Sequence, residues 1–520
     1  MTKTETLPVA DIKNELIVGL TIALVVLPQA IAFATTLAYV PPSLGLYSAI
    51  WGVIIIALLN PSKLFHGGPN SAMSASIGIT LLPIAPQFGA SYVGYVLILV
   101  LLAGLFQLLI VTIKPLTRIL NLINEAVING MIAGIGLFLI FKSIPTLGGI
   151  PSNTEVEWAV IINWHTFLDV LEWGNMAAIE IGAITLVTGI AFKQLKATKQ
   201  WYIVLALLAG TFYSEYLIAS VGNEHLLIQQ VANLSQMEIL APSLPNFSQE
   251  SIPDIISIMP GALTLALLGL FQTTAAMRGI NKKLNQHSDI RSGLKADAFA
   301  NTVLAFCSSL PTCASFNRMW LMHNLGARTK IVAFSSAFIL LLCVTFMGDL
   351  ISKLPLPALA GVIMLVGVNM INFEDFKKHF QSVSEAGIFL ASFASIHIFG
   401  LLSAIIIGVS LSLIHFNWRL LRPGITQHDG VIKFKGSFYY GSINDIEGLI
   451  SEMIQKHQTI ELDITNVSYF DSEAKRFLID LTKRTELKYI MSPEQAALGA
   501  SLIENGLDPR CIAAAKPEPS

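Results

Sequence analysis

Charged side chains are scarce in most of this sequence. Asp, Glu, Lys and Arg make up 13% of its 520 residues, whereas hydrophobic residues make up 53%. A soluble domain carries about 25% charged residues, so this composition excludes an ordinary soluble protein. Residues 1–424 contain 42 charged residues, whereas the 96 residues of 425–520 contain 24. The sequence therefore predicts a large membrane domain followed by a small soluble one.

Features of several other classes of protein are also lacking. A net charge of −2 gives no basic surface for nucleic acid. The four cysteines have no ligand-like spacing, which predicts neither a zinc site nor a disulfide framework. Residues 1–14 lack a charged leader and a cleavage site, so we expect a cytoplasmic segment, not a signal peptide. No nucleophile–base or phosphate-loop motif is present, so we expect no enzyme, no catalytic residue, no metal and no cofactor.

Apolar runs predict fourteen membrane spans within residues 15–420. They lie near 15–36, 44–60, 70–85, 93–113, 119–142, 174–192, 202–219, 257–277, 293–309, 314–325, 329–348, 356–371, 386–399 and 401–418. Several are shorter than the roughly 20 residues that cross a bilayer. Because fourteen is even, both termini should lie on the same side.

Lys and Arg in the predicted loops assign that side. The two longest loops expected outside, 149–172 and 220–256, contain neither residue. The loops expected inside contain Lys63, Lys114, Arg118, Lys193, Lys196, Lys199, Arg278, Lys282, Lys283, Arg291, Lys295, Lys377, Lys378, Arg419 and Arg422. By the positive-inside rule, this asymmetry predicts cytoplasmic termini in the cell (inner) membrane.

Two short spans, the third and the tenth, follow Gly or Pro breaks. The breaks read "HGGPNSAMS" (66–74) and "LPTCASFNR" (310–318). They occupy equivalent places in two halves of seven spans, which predicts a 7+7 inverted repeat with a site near the bilayer midplane. Helices that begin inside the membrane direct free N–H groups and a positive dipole end into that site, which favours anions.

Arg318 is the last residue of the second break and lies among apolar or small residues. An unpaired buried cation costs several kcal/mol or more, so its position needs a reason. One hypothesis is a fixed charge that binds an anion beside the two helix starts. The other is a structural ion pair with a buried acid such as Glu125, Glu180 or Glu385. The residues alone leave both open.

Four stretches of the sequence are distinctive: "GLTIALVVLPQAIAFATTLAYVPPSLGLYSA" (19–49), "GGPNSAMS" (67–74), "SLPTCASFNRMWLMHNLGARTK" (309–330) and "LPLPALAGVIMLVG" (354–367). Through them the chain resembles the SulP (sulfate permease) family of anion transporters. The resemblance implies a core domain of spans 1–4 and 8–11 and a gate domain of spans 5–7 and 12–14. It also implies an elevator-like movement of the core against the gate, and a homodimer.

The charged tail reads as a small α/β domain over 421–510, followed by a C-terminal segment 511–520. Strands are predicted at 430–438, 459–467 and 487–492, and helices at 442–457, 471–484 and 492–506, with Gly506 as a C-cap. The pattern is similar to the STAS domain that follows SulP membrane domains. "DITNVSYFDSEAKRFL" matches its Asp-Ser loop at Asp471 and Ser472.

Two residues of that loop are candidate regulatory positions, Ser472 and Glu473. In anti-sigma-factor antagonists of this fold, the residue after the first Ser is a phosphorylated serine. Here it is Glu473, which excludes a phosphoswitch at that position. An acid in the first turn that favours the helix dipole explains Glu473 better than a phosphate mimic does.

The resemblance also implies a substrate site. Carried over position by position, its candidate residues are Gln29, Phe33, Asn70, Ser71, Gln272, Thr273, Ser315, Phe316, Asn317 and Arg318. Gln29 follows the helix-disrupting Pro28, and an amide donates to an anion without carrying charge. Each residue also has an explanation that involves no substrate. Gln29 could form a hydrogen bond between helices, and Phe33 could belong to the hydrophobic core.

The eighth span departs from many relatives. Gln272 in "LALLGLFQTTAAMRG" (265–279) replaces an Asp or Glu that, with a hydroxyl one turn later, holds Na⁺ or a proton; here that later residue is Ala276. "LKADAFAN" (294–301) departs from the usual Glu-Leu-x-Gly-Gln-Gly stretch. Neutral Gln272 cannot titrate, and hard cations prefer carboxylates. A positive site with no balancing acid is therefore expected, although Thr273 and Thr274 could supply hydroxyls.

These observations predict a secondary transporter of small anions such as sulfate, bicarbonate, chloride or a dicarboxylate. We expect exchange or weak cation coupling. Expected partners are the bilayer, a second copy and a cytoplasmic protein that binds the STAS domain, but not nucleic acid. The alternative is a channel-like or sensory protein that signals through its STAS domain. A nucleobase permease of the same fold has less support, since such proteins lack a STAS tail and use acids on spans 8 and 10.

Overall fold

The computed structural model describes most of the chain. The described residues are 9–60, 62–84, 92–113, 124–150, 164–231, 252–285, 288–421, 424–428, 431–438, 443, 459–483, 486–492 and 495–514. The chain forms two compact units, Met1–Ser410 and Leu411–Ser520. The predicted boundary at residue 421 between membrane and STAS domains stays a prediction.

Most of the described residues between 9 and 421 lie in helices. Their bounds are α1 Val9–Ala32, α2 Pro42–Tyr47, α3 Val53–Leu59, α4 Ser71–Leu81, α5 Tyr92–Thr112, α6 Glu125–Leu147, α7 Trp164–Trp173, α8 Met176–Gln194, α9 Tyr202–Val221, α10 Asn223–Leu226, α11 Ile252–Leu284, α12 Ile290–Leu304, α13 Phe316–Asn324, α14 Ile331–Ser352, α15 Leu356–Met370, α16 Phe373–His379 and α17 Val383–Leu421. Helix α1 continues as a π-helical turn, Phe33–Ala38, and a second π-helical turn, Ser48–Gly52, joins α2 to α3.

Nine helical stretches among the described residues are long and apolar enough to cross a membrane, and Ser71–Ile84 and Leu356–Met370 are shorter apolar helices. The protein is thus a multi-pass membrane protein built from helices. Each predicted span overlaps one of the observed helices. The number of crossings, fourteen, and the inverted repeat stay predictions.

The last two predicted spans, 386–399 and 401–418, lie within α17. That helix is interrupted at Gly400, whose φ of 80° and ψ of 175° are not helical. A positive φ is readily adopted by glycine because it has no Cβ. Gly400 therefore allows the break between the two apolar halves.

Small residues bring α6 and α15 together. A Cβ on Gly136 would meet the carbonyl oxygen of Gly367 at 2.7 Å, and a Cβ on Gly367 would meet that of Gly136 at 2.6 Å. Close contact between glycines lets backbones approach within a membrane, where packing has to replace the hydrophobic driving force. The apolar pattern alone does not show which helices are neighbours in this way.

Three helices of the described part were not predicted: α7, α10 and α16. Each is ten residues or shorter. Helix α16 begins at a cap, because Asn372 accepts a hydrogen bond from the Glu374 N–H at 3.1 Å. Such short segments lack the long apolar run by which the spans were recognised.

The second unit contains a five-stranded sheet in the order β1-β2-β3-β4-β5. Its strands are β1 Gly424–His428, β2 Val431–Phe438, β3 Thr459–Phe470, β4 Glu486–Met491 and β5 Ile512–Ala514. The β1–β2 pair is antiparallel and the other three pairs are parallel. In the β3–β4 register Leu462 lies opposite Tyr489, and both side chains are fully buried. Strands β1 and β5 were not predicted.

Two helices accompany the sheet, α18 Ser472–Thr482 and α19 Ala496–Glu504. Helix α18 is capped by Asp471, which accepts from the Ala474 N–H at 2.7 Å. After α19, Gly506 adopts a φ of 106°, as a residue that ends a helix requires. The helix predicted at 442–457 lies outside the described residues, apart from residue 443. The helical membrane domain and the α/β tail agree with the predicted fold class.

Candidate functional site

The two breaks in the sequence meet in the structure. Pro69 and Thr312 form an antiparallel bridge, the Gly68 N–H donates to Thr312 Oγ1, and the Cys313 N–H donates to the Gly68 carbonyl at 3.3 Å. We call residues 66–70 and 310–315 the crossing segments. Helices α4 and α13 begin directly after them, so the pairing places the two helix starts side by side.

Asn301 holds the second crossing segment against the neighbouring helices. Its Oδ1 accepts from the Thr312 N–H at 2.7 Å, and its Nδ2 donates to the Thr312 carbonyl at 3.0 Å. The same Nδ2 donates to Gln107 Oε1 at 2.8 Å. A backbone that leaves its helix inside the protein needs partners for its polar groups. Asn301 supplies them to Thr312.

The two helix starts differ in how their N–H groups are satisfied. At α4, the Asn70 side chain accepts from the N–H groups of Ala72 at 2.9 Å and Met73 at 3.2 Å. At α13, the Ser315 side chain makes no capping hydrogen bond. The first turn of α13 therefore keeps donors that its cap does not use. Of the two, α13 offers the better anion-binding end.

Arg318, in the first turn of α13, has its guanidinium buried against the first crossing segment. Its residue is 6% exposed, and its Nη2 donates to the Pro69 carbonyl at 3.2 Å. Its Nη1 is buried and has no hydrogen-bond partner among the described residues. The guanidinium passes so close to Gly68 that a Cβ there would collide with Nη1. A buried N–H donor on a cation thus points to a place where a negative group could bind.

The three acids considered as structural partners of Arg318 have other partners. No described carboxylate forms a salt bridge with Arg318. The partners are Lys378 at 2.7 Å for Glu125, Tyr213 at 2.8 Å for Glu180, and His379 at 3.1 Å for Glu385. The structural-pair hypothesis is therefore wrong for these residues.

Asp297, on α12, is an acid of this site that the sequence reasoning missed. It is 2% exposed and accepts a short hydrogen bond on Oδ2 from the Thr273 hydroxyl. Thr273 Oγ1 in turn accepts from the Ala314 N–H at 3.1 Å. Asp297 and Arg318 interact electrostatically without forming a salt bridge. The expectation of a positive site with no balancing acid is therefore wrong. The sequence did contain an indication of Asp297, because "LKADAFAN" (294–301), which includes it, departs from the usual stretch of the family.

Two other polar residues of α11 point in different directions. Gln272 faces the second crossing segment, because its Oε1 accepts from the Cys313 thiol at 3.3 Å. The Thr274 hydroxyl donates to the Leu270 carbonyl of its own helix at 2.7 Å. Gln272 and Thr273 are thus brought to the site, and the Thr274 hydroxyl is used within α11.

Phe316 and Asn317 are not gathered with the Arg318 guanidinium. The Phe316 ring packs on Gly279, stacks with Trp320 at 6.5 Å and lies 5.7 Å from Lys283 Nζ. Asn317 is exposed. Successive residues of a helix point about 100° apart, so Phe316, Asn317 and Arg318 project from three different sides of α13.

Of the first-span candidates, Phe33 belongs to a segment that packs against α4. Gln29 is half-buried on α1, and Phe33 is buried in the π-helical turn that packs against α4. Ser71, the first residue of α4, directs its hydroxyl to Met370 Sδ at 3.8 Å, at the end of α15. Ser71 therefore contacts a helix of the predicted gate domain. The direct role of all three residues in binding stays a prediction.

In the second unit, Ser472 and Glu473 form the exposed first turn of α18. Asp471 caps that turn. An acid in a first turn is favourable to the helix dipole, which agrees with the structural explanation of Glu473. A regulatory role of the two residues stays a prediction.

Comparison with known proteins assigns this arrangement to a family. The sequence profile described as "Sulfate permease family" matches residues 12–394, which include both crossing segments and every helix of the site. The chain belongs to the sulfate permease family. The profile described as "STAS domain" matches residues 422–491, so this sulfate permease homologue carries a STAS domain after its membrane domain.

Similar sequences and structures agree with the assignment. A probable sulfate transporter of Mycobacterium tuberculosis is 24% identical over 425 residues, which cover 81% of this chain and 72% of the relative. Probable sulfate transporter 3.3 of Arabidopsis thaliana is 22% identical over a region that covers 90% of this chain and 74% of the relative.

Among solved structures, the inward-facing murine solute carrier 26 family member A9 anion transporter matches with a TM-score of 0.77 and 17% identity, over 97% of this chain and 89% of that one. The transmembrane domain of a cyanobacterial bicarbonate transporter, BicA, matches with a TM-score of 0.65 and 18% identity. The match covers 78% of this chain and 98% of that one. At these identities the likeness shows the fold alone.

Proposed function

We propose that this sulfate permease homologue is a secondary transporter that moves small inorganic or carboxylated anions across the cell (inner) membrane. The observation that carries the proposal is the unsatisfied Nη1 of Arg318, buried beside the uncapped start of α13. A cation and a positive helix end in a low-dielectric site attract negative charge and exclude positive charge. Sulfate, bicarbonate, chloride and a dicarboxylate all meet this requirement.

The transport step of the proposal is an elevator-like movement. The core would consist of the predicted spans 1–4 and 8–11, which include α4, α11, α12 and α13, and it would move against a gate of spans 5–7 and 12–14. The contact between Ser71 and Met370 would then be broken and re-formed during transport, since the two residues belong to different domains of this division. A homodimer with cytoplasmic termini completes the proposal.

The proposed coupling is exchange or weak cation coupling, without Na⁺ at position 272. A hard cation prefers carboxylate ligands, and Gln272 supplies only an amide oxygen that already accepts from Cys313. The STAS domain would bind a cytoplasmic partner through the surface that contains Ser472 and Glu473, both of which are exposed.

The test is uptake of radiolabelled sulfate, bicarbonate and chloride into liposomes that contain the purified full-length protein. A transporter should accumulate at least one of these anions, and an exchanger should do so only when an anion is present on the opposite side. Uptake with a steady electrical current, no need for a trans anion and no response to a pH gradient would support the alternative, a channel-like protein. No uptake of any anion, together with no binding, would reject the proposal.

The matched variants are Arg318→Gln and Arg328→Gln. Both remove one arginine charge, but Arg318 is buried in the site, whereas Arg328 is exposed ten residues further along the chain. Only Arg318→Gln should reduce uptake. Equal losses in both variants would indicate a general effect of charge or folding, not a binding site.

A further inference from the structure

Asp297 brings a negative charge to the site at which the proposed function requires an anion. The residue is 2% exposed, and Thr273 hydrogen-bonds one of its carboxylate oxygens. The other oxygen, Oδ1, is buried and has no hydrogen-bond partner among the described residues. An unpartnered oxygen on a buried carboxylate is costly. A proton on Oδ1 would neutralise the carboxylate and would occupy the oxygen that has no hydrogen-bond partner.

Helices α5, α11 and α3 and the π-helical turn Ser48–Gly52 pack against α12, and the last two contain no charged or titratable side chain. From α13 and its crossing segment come the Arg318 guanidinium and the Cys313 thiol. Helix α11 presents the uncharged Thr273, and α5 presents the uncharged Gln107, which bonds Asn301 one turn beyond Asp297. His66 lies near Arg318, with its Nε2 3.3 Å from Ser336 Oγ. Among these groups, Arg318 is the cation that balances an ionised Asp297.

Charge balance then links Asp297 to the substrate. When the site is empty, an ionised Asp297 and Arg318 together carry no net charge. An arriving anion would add a negative charge in a buried region, where like charges disfavour each other. If Asp297 takes up a proton at Oδ1, Arg318 is left to balance the anion. Binding of the anion and ionisation of Asp297 are therefore competing events.

We propose that Asp297 is a proton-binding site whose occupancy is coupled to anion binding at Arg318, so that the protein carries a proton together with its anion. The inference rests on the proposed function of Arg318. The proton would reach Asp297 Oδ1 from the same aqueous side as the anion and leave with it on the other side. Release of the anion restores the Arg318–Asp297 balance, and the carboxylate loses its proton.

The oxygen atoms around Asp297 favour a proton over a metal cation. Na⁺ requires several oxygen ligands, as other hard cations do. Here the Thr273 hydroxyl donates its hydrogen to Asp297, and Gln272 Oε1 accepts from Cys313. A proton needs only the unpartnered Oδ1. We therefore expect the coupling to respond to pH and not to Na⁺.

The first experiment measures sulfate affinity of the purified full-length protein between pH 5.5 and 8.5, with Na⁺ and with a bulky organic cation. Sulfate suits this purpose because its charge does not change in this range. By linkage, the affinity should fall by up to about tenfold per pH unit once Asp297 is ionised. Asp297→Asn should bind sulfate with an affinity that no longer depends on pH.

Asp289→Asn provides the matched control on the same helix. Asp289 is exposed and caps α12 by accepting from the Arg291 N–H at 3.0 Å, a role that asparagine fills equally well. The control removes one carboxylate but should keep the pH dependence. A pH dependence that survives in Asp297→Asn would overturn the inference. Absence of anion binding in the wild-type protein, for sulfate and chloride alike, would instead reject the proposed function.

A second experiment needs no variant, so it decides the question even if Asp297→Asn fails to fold. Sulfate is added to the wild-type protein in weakly buffered solution, and a pH-sensitive dye records proton uptake. Near neutral pH, binding should take up a fraction of a proton that rises toward one per site as the pH increases. Sulfate binding with no proton uptake between pH 6 and 8.5 would overturn the coupling and leave the proposed anion site intact.

Discussion

At the scale of single residues, position 318 combines burial with an unused donor. The Arg318 side chain has one hydrogen bond to a backbone carbonyl, from Nη2 to Pro69, and a buried Nη1 without a partner among the described residues. Most buried polar groups in proteins are hydrogen-bonded, so each exception needs an explanation. An anion that accepts from Nη1 explains this exception better than a structural role does, because a structural role would be expected to satisfy the guanidinium fully.

Replacing Arg318 with glutamine should weaken anion binding strongly and leave the protein folded. A hydrogen bond to a charged group contributes about 1.5–3 kcal/mol, which corresponds to an affinity loss of roughly 10- to 100-fold. The measurement is sulfate and chloride affinity of Arg318→Gln, with size-exclusion chromatography as the test of folding. Unchanged affinity would contradict the assignment of the site. Unfolding would favour a buried pair, whose disruption costs about 3–5 kcal/mol.

Replacing Gln272 with glutamate should weaken anion binding at neutral pH and make it more sensitive to pH. The new carboxylate would add a second negative charge beside Cys313, one residue before the Thr273 that bonds Asp297, and this charge would compete with the substrate. Sulfate uptake by both forms at several pH values and Na⁺ concentrations is the measurement. Strong stimulation of sulfate uptake by Na⁺ in the natural protein would show that a cation site is built from other groups. Thr273 and backbone carbonyls would be the first candidates.

At the scale of elements, the crossing segments determine where the Arg318 charge lies. Gly68 is essential to this arrangement for two reasons: its φ is 132°, and its missing Cβ leaves room for Nη1 of Arg318. Few other residues adopt that backbone conformation without strain. The charge is therefore positioned by a glycine that carries no chemistry of its own.

Gly68→Ala should reduce anion affinity without removing any charge. The added methyl group would displace the guanidinium, and the strained backbone would cost about 1–3 kcal/mol. A loss of about tenfold or more in sulfate affinity is expected. The control is Gly387→Ala in α17, where a Cβ would meet nothing within 4 Å. Equal affinity of Gly68→Ala and wild type would show that the position of the guanidinium does not control binding.

At the scale of the whole molecule, the chain forms two compact units. The site lies within the first unit, and the STAS sheet has a buried core of its own that includes Leu462 and Tyr489. The charge distribution separates the same regions, since 24 of the 96 residues from 425 onward are charged. The proposed anion binding and the proposed regulatory role can therefore be tested separately.

Deletion of residues 425–520 should leave the membrane domain inserted and its anion affinity unchanged within about twofold. The spans and the loop charges that direct insertion all lie upstream. The measurement compares sulfate affinity and detergent-solubilised size for the full-length and shortened proteins, and we expect changes in assembly or trafficking. A shortened protein that is folded but has lost anion affinity would show that the tail belongs to the site.

Much of the fold could be predicted because its signals are local. Apolar runs located the helices, and the contrast in charge located the soluble tail. Resemblance of motifs predicted the family and the STAS domain, which the comparison confirms. Arg318 was also recognisable, because a lone cation in an apolar stretch is unusual at any position. Residues that are neighbours in the sequence determine each of these features, so a single sequence was enough to predict them.

Only the tertiary structure decided how the site is assembled. Gly68 and Thr312 are 244 residues apart in the chain, and Thr273 and Asp297 lie on different helices. Spacing along one helix predicts which side chains share its face, but not which residue of a distant segment will meet them. For that reason the sequence alone favoured a site without an acid, whereas packing of α12 against α11 places the Asp297 carboxylate where it interacts with the Arg318 charge.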